Sequence, residues 1–173
     1  MGKEPKYEIL ESYDKIELRL YASFLVAEVE CSGIRKEAIR SGFRILANYI
    51  FGNNVASAKL PMSVPVTQQK IDDLWKIRFM LTQASDLNDL PQPNNQLVKL
   101  FSIPEKKVAA IRFSGIANDE KLQRYTTKLR EFADSHKWPL DDRPILAFYN
   151  PPWTLPFLRR NEILFEVLDP LRN

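Results

Sequence analysis

Leu25-Val26-Ala27-Glu28-Val29-Glu30-Cys31-Ser32-Gly33 is the stretch on which the fold turns. Leu25, Ala27, Val29 and Cys31 alternate with Val26, Glu28 and Glu30, the period of a half-buried strand, and Ser32-Gly33 ends it ahead of a helix. The pattern returns at an offset of 82 positions as Lys107-Val108-Ala109-Ala110-Ile111-Arg112-Phe113-Ser114-Gly115. Each Ser-Gly also opens a helix. From Arg35, apolar Ile39, Phe43, Leu46 and Ile50 recur at helical steps, with Arg35, Lys36, Glu37, Arg40 and Arg44 on or beside the opposite face. Phe51-Gly52-Asn53-Asn54 closes that helix, because Gly and Asn tolerate the left-handed conformation that stops it. A second helix, from about Asp119 to His136, carries Leu122, Tyr125, Leu129 and Phe132 on one face.

Working outward, Tyr7 to Tyr13 reads as a strand of mixed pattern, and Ile16, Leu18 and Leu20 alternate with Glu17, Arg19 and Tyr21 in a second. Val64 to Gln69 and Trp75 to Thr82, joined by Lys70 to Leu74, come after the first helix. Ile145 to Tyr149 and Glu162 to Leu168 come after the second. Asp86 to Gln96, rich in Asp, Asn and Pro, is the one linker-like segment. The chain thus reads as two ββαββ units, about 7–82 and about 97–168, within a single domain. A sheet face half covered by one helix cannot close its own core, so the two units should pack together. Chance agreement of element lengths is the alternative, and the aligned Ser-Gly pairs argue against it. The expected fold is α+β: a distorted, mainly antiparallel β-barrel from two repeats, with two α-helices packed outside.

Composition narrows the function classes. The 173 residues are 45% hydrophobic and 27% charged, as in an ordinary soluble globular protein. A net charge of +3, from 25 basic and 22 acidic residues, is too balanced for a dedicated nucleic-acid binder. No apolar run is long enough to span a bilayer, and Met1-Gly2-Lys3-Glu4-Pro5 has no hydrophobic signal region, although a removed leader would leave the same sequence. One cysteine, Cys31, rules out an internal disulfide framework and fits a reducing, cytoplasmic compartment. One histidine, His136, is the sole candidate base for Ser-His-acid catalysis. No Gly-x-Ser-x-Gly surrounds any serine, and His136 is placed to cap the second helix. One His and one Cys do not make a divalent-metal site, and five glycines form no phosphate loop. Asp72-Asp73 and Asp141-Asp142 read as turn charges. A non-enzymatic protein is expected.

The informative segment is Tyr149-Asn150-Pro151-Pro152-Trp153-Thr154-Leu155-Pro156-Phe157-Leu158-Arg159-Arg160-Asn161-Glu162. Its three prolines fix their own φ and bias their predecessors toward extended geometry, so a stiff loop is expected. It reads two ways. Trp153, Leu155 and Phe157 beside two arginines suit a flat apolar ligand carrying carboxylates. Equally, the Trp packs down on the barrel while Arg-Asn-Glu satisfies a buried network.

Tyr7-Glu8, Ile16-Glu17-Leu18-Arg19-Leu20-Tyr21, Tyr49-Ile50-Phe51-Gly52-Asn53-Asn54, Met62-Ser63-Val64-Pro65-Val66 and Pro151-Pro152 with Arg159-Arg160-Asn161-Glu162 together resemble the SOUL/heme-binding protein family. The resemblance runs in order from roughly Glu4 to Leu168. It implies a two-repeat barrel with two outer helices, and reversible binding of heme or a related tetrapyrrole without a catalytic reaction. It also implies an open apolar cleft between the first helix and the proline-rich loop. Arg40, Phe43 and Ala47 take the matching helix positions, and Trp153, Thr154 and Leu155 the matching loop, with Arg159 next along the chain. Arg40 would pair with a propionate, while Phe43 and Trp153 would touch the ring.

The departures from the family pattern are specific. Leu20 stands where members that ligate heme iron have histidine, so axial ligation there is excluded. Asn48 replaces a lysine near the end of the first helix, and the loop lysine is missing, which implies weaker or different propionate binding. Met62 and Tyr149 have ligand-competent atoms but read as core. Two rival readings remain: a small-molecule effector-binding barrel like the drug-sensing domains of bacterial regulators, and a protein-interaction module anchored by Trp153 and Phe157.

Overall fold

Each strand–Ser-Gly–helix stretch folds as its pattern requires. The computed structural model of the protein describes residues 3–168; Met1 and Gly2 of the amino-terminal stretch and residues 169–173 lie outside them. The elements are β1 (Tyr7–Tyr13), β2 (Ile16–Tyr21), β3 (Phe24–Ser32), α1 (Arg35–Ile50), β4 (Val66–Ile71), β5 (Leu74–Leu81), β6 (Lys99–Ile103), β7 (Lys106–Phe113), α2 (Asp119–Ser135), β8 (Ile145–Phe148) and β9 (Asn161–Glu166). Short 3₁₀ turns occupy Leu87–Asp89 and Pro156–Leu158. The α+β class holds, and the strand pairs within each of two compact units are antiparallel.

The first unit comprises residues 3–5 and Ser23–Pro104. Its strands run β4-β5-β3-β6, and α1 packs on one face. Leu25, Ala27 and Val29 of β3 meet Leu81, Phe79 and Ile77 of β5 in register, and Leu46, Tyr49 and Ile50 of α1 close the core above them. The buried stripe of α1 is Ala38, Gly42, Leu46, Tyr49 and Ile50. Leu46 and Ile50 of the expected stripe lie in it and half-buried Ile39 packs beside it, but Phe43 is exposed at the margin, its ring edge-on to Phe79 at 5.2 Å. The cause is the closeness of helix and sheet: a Cβ on Gly42 would stand 2.8 Å from Ile77 Cδ1. Only the smallest residue fits there. The helix ends as expected, with Gly52 at φ +119° and the Asn53 N–H donating to Asn48 O over 2.9 Å. Asn54 is buried and does more than stop the helix: its side-chain amide donates to Tyr49 O and Ala58 O and accepts from the Ala58 N–H. Asp86–Gln96 is fastened to this unit, with Leu90 buried and Pro91 O accepting from Tyr49 Oη at 2.7 Å.

The second unit comprises Lys6–Ala22 and residues 105–168. Its strands run β1-β2-β7-β9-β8, with α2 on one face. Phe113 of β7 stacks on Tyr125 of α2 at 4.3 Å. Asn118 Oδ1 caps α2 by accepting from the Lys121 N–H at 2.8 Å. His136 is its C-cap, as expected, with Nδ1 3.0 Å from Phe132 O and its ring packed among Tyr13, Phe132 and Trp138.

Two features depart from the pattern of alternation. β2 is buried on both faces, so Arg19, expected on a solvated face, is 1% exposed. Likewise Val26 and Glu28 of β3 are buried opposite the helix side. The strand partners are also interleaved along the chain. β2 pairs with β7 in the second unit, and β6 pairs with β3 in the first. The aligned glycines Gly33 and Gly115 share one backbone state, at φ +103° and +93°.

Candidate functional site

The proline-rich segment between β8 and β9 is exposed along its apolar edge. Trp153 is 83% and Phe157 72% exposed, with Leu155 and Leu158 also outside. The Trp therefore does not pack down, and that half of the second reading is set aside for a stiff, presented loop. Its stiffness comes from the three prolines and from Arg159, whose Nε donates to Thr154 O at 2.8 Å and whose Nη2 donates to Pro152 O at 2.6 Å. Arg159, expected to face a ligand, braces the loop that carries Trp153.

The other half of that reading is what the loop's far end does. Register places Arg19, Glu17 and Arg112 with Glu162 on the face of the second unit's sheet opposite the one that meets α2. Glu162 is fully buried, and its carboxylate is saturated with donors. Arg19 Nη1 and Nη2 donate to Oε1 and Oε2 at 2.8 and 2.6 Å, a bidentate pair. Tyr149 Oη donates to Oε1 at 2.6 Å, and Arg160 Nη2 to Oε2 at 3.3 Å. Arg112 Nε stands 3.5 Å from Oε2. Arg19 also donates to Glu17 Oε1 at 2.7 Å and to Tyr21 Oη at 3.0 Å. The Arg160 guanidinium lies over the Tyr149 ring at 3.8 Å, and that of Arg19 over Tyr7 at 4.5 Å.

Electrostatics follow from these contacts. Burial alone would push the Glu162 carboxyl up, but Arg19, Arg160 and the Tyr149 hydroxyl together outweigh it and hold the group below its ordinary value. Burial, with the Glu162 charge alongside, pushes the Tyr149 hydroxyl up. Burial likewise raises Tyr21, to about 12. A carboxylate so occupied has no acceptor to spare for a substrate proton. The cluster holds structure and leaves no room for acid–base chemistry at Glu162.

The remaining expected residues lie in the first unit. Arg40 and Phe43 are exposed and Ala47 is half-buried, at positions i, i+3 and i+7 of one α1 face. Leu20, at the position of the family's axial histidine, is half-buried in β2. Tyr149 is committed to Glu162, which removes it as an iron ligand, and Met62 is half exposed. Among the described residues, no group of three or more His, Cys, Asp or Glu side chains could hold a metal ion, and no helix is long and apolar enough to cross a membrane. Sequence reasoning missed Arg19 and placed its partner Glu162 only in an unspecified network. Local signals for Arg19 are absent, because its partner is 143 residues away.

The fold has known counterparts. The chain superposes on the C-terminal domain of EcmrR with a TM-score of 0.69 at 12% identity, covering 94% of this chain and 98% of that one. It superposes on a Listeria innocua protein described as a hydrolase with a TM-score of 0.61 at 12% identity, covering 92% and 94%. EcmrR in its complex with DNA gives 0.66 at 12% identity, over 88% of this chain and 56% of that one. At such identities these establish shared architecture alone. No curated protein matches the sequence. The sequence model for the SOUL heme-binding proteins matches residues 2–166, nearly the whole chain, and the protein belongs to that family.

Proposed function

We propose that the protein binds heme or a related tetrapyrrole reversibly and without catalysis, buffering or carrying it. The observation that carries this reading, beside family membership, is the exposed, braced presentation of Trp153 and Leu155, an apolar surface that stands open among the described residues. Arg40, Phe43 and Ala47, on one face of α1 in the first unit, are the helix residues that the family resemblance assigns to the ligand. These groups fit a macrocycle and its propionates: rings and aliphatic side chains for the flat face, a guanidinium for a carboxylate. They do not fit iron. Leu20 offers no donor atom, Tyr149 is taken by Glu162, and half-exposed Met62 is outside the residues assigned to the ligand, so binding should be indifferent to the metal.

The test titrates ligand-free protein with heme and with metal-free protoporphyrin, monitored by absorbance and Trp quenching. Saturable binding in roughly the micromolar range is expected, with the two ligands within about threefold of each other. Phe43→Ala and Trp153→Ala, both at exposed positions, should each weaken binding about fivefold to tenfold, with the melting temperature unchanged for Trp153→Ala and slightly lowered for Phe43→Ala, whose ring meets Phe79. Absence of saturation would remove the proposal, and a heme preference of about a hundredfold or more would restore an iron ligand.

A further inference from the structure

Four arginines gather where the proline-rich loop joins the sheet of the second unit, and three of them are spent. Arg159 holds Thr154 O and Pro152 O, the carbonyls on either side of Trp153. Arg160 lies over the Tyr149 ring and donates to Glu162 Oε2. Arg19 is buried with all three nitrogens in use, on Glu17, Tyr21 and Glu162. Arg112 differs. Its side chain is 50% exposed, and its one ion-pair contact runs from Nε to Glu162 Oε2 at 3.5 Å, longer than a hydrogen bond usually is. Its terminal nitrogens, Nη1 and Nη2, have no partner among the described residues.

Glu162 cannot absorb this fourth guanidinium. Its Oε1 accepts from Arg19 and Tyr149, and its Oε2 from Arg19 and Arg160, which fills the four lone-pair sites of a carboxylate. Within the cluster, the three guanidiniums of Arg19, Arg112 and Arg160 face the two carboxylates of Glu17 and Glu162, so one positive charge is in excess. The neighbouring β1–β2 turn, whose Lys15 O accepts from the Arg112 N–H at 2.9 Å, adds Asp14 and Lys15, which cancel. The excess therefore falls on the one exposed member, and a single positive charge matches a carboxylate. β7 also carries Arg112 alongside the loop. Phe113 pairs with Asn161, the Gly115 N–H donates to Pro156 O at 2.8 Å, and Asn161 Nδ2 donates to Gly115 O at 2.9 Å. The loop itself, residues 150–158, contains no basic residue.

We propose that Arg112 is the carboxylate receptor on the loop side of the ligand, gripping one propionate of a tetrapyrrole through Nη1 and Nη2. Those two nitrogens present parallel N–H groups that match both oxygens of a carboxylate. The assignment rests on the tetrapyrrole reading, and it gives the proline-rich loop the cation that its own residues lack. Arg159 and Arg160 stay with the fold.

The test titrates the ligand-free full chain with metal-free protoporphyrin and with its dimethyl ester, which keeps the macrocycle and removes both charges. Wild-type protein should bind both, the diacid more tightly. Arg112→Gln should weaken binding of protoporphyrin about fivefold, as for a half-exposed charge-assisted pair, and leave that of the ester unchanged. Arg112→Lys, which keeps the charge without the paired N–H groups, should recover part of the loss. Lys128→Gln, at an exposed position on α2, removes the same charge and should change neither affinity. Thermal melting checks that each variant is folded. Unchanged protoporphyrin binding in Arg112→Gln overturns the assignment and leaves the tetrapyrrole reading standing. Equal losses for diacid and ester overturn it too, because they mark Arg112 as a support of the fold. Wild-type protein that saturates with neither porphyrin removes the tetrapyrrole reading and this assignment with it.

Discussion

Glu162 and Arg19 form a fully desolvated ion pair, and the cost of breaking such a pair exceeds the benefit of having it. Glu162→Gln keeps the shape and removes the charge, leaving Arg19 buried with Glu17 as its one carboxylate partner beside the Tyr21 hydroxyl. A loss of about 3–5 kcal/mol is expected, read as a lowered urea midpoint at unchanged slope. Acid should act like that variant. The Glu162 pKa is depressed, so its contribution is present above the ordinary carboxylate value of 4.5 and lost as pH falls through the folded-state value. At the alkaline side the sign reverses. Tyr21 and Tyr149 are raised, so the stability they add is complete below their ordinary 10.0 and lost as pH rises past it, through about 12 for Tyr21. Melting temperature against pH should show a plateau with both edges, and Tyr149→Phe should blunt the alkaline edge. Alternation could not have revealed this cluster. It marks which residues share a face, and it assumes that a face holding Arg and Glu is wet. Here both faces are covered, and the pairing partner lies at the other end of the chain.

At the scale of the element, α1 shows what hydrophobic periodicity measures and what it leaves out. Helix, start and stop were all readable, because three-and-four spacing and Gly52-Asn53 are local signals. The face that meets the sheet was readable through Ile39, Leu46 and Ile50, but its centre was not, because the largest side chains are not those that permit the closest approach. Gly42 makes the contact and Phe43 is displaced to the margin, which is the reason it is free to touch a ligand. Gly42→Ala sets two effects against each other. Ala gains about 1 kcal/mol over Gly in a helix interior. Its Cβ would stand 2.8 Å from Ile77 Cδ1, closer than real Cβ contacts come, and a tight 3.2 Å from Val29 Cγ1. Overpacking of that kind costs about 1–3 kcal/mol, so a net loss of roughly 1 kcal/mol is expected. Ile77→Val removes the nearest clashing carbon and itself costs about 1 kcal/mol. In urea titrations the double variant should therefore be more stable than the two single losses added together. The proline-braced loop belongs to the same scale. Its rigidity was legible from Pro151, Pro152 and Pro156, while the role of Arg159 as its brace depends on carbonyl positions that no pattern of residue types encodes.

For the whole molecule, family and element order were readable because the motifs are specific and spread along the chain. The partition of strands was not. β1 and β2 come first in sequence yet complete the sheet of the second unit, through pairs such as Arg19↔Val108. Element lengths cannot show this, since adding a strand from either half satisfies the same pattern. The consequence can be tested by cutting the exposed Pro104-Glu105 turn that joins β6 to β7. The fragment from residue 105 onward has β7, α2, β8 and β9 but lacks Arg19. Its Glu162 would be buried without its bidentate partner, and β7 would present an unpaired edge. It should therefore stay unfolded alone by far-UV circular dichroism. Mixed with the fragment ending at residue 104, it should regain a cooperative melt, since that fragment supplies β2 and Arg19 together. A cooperative transition in the isolated carboxy-terminal fragment would show that the Arg19–Glu162 pair is dispensable to that sheet, and would contradict the loss expected for Glu162→Gln.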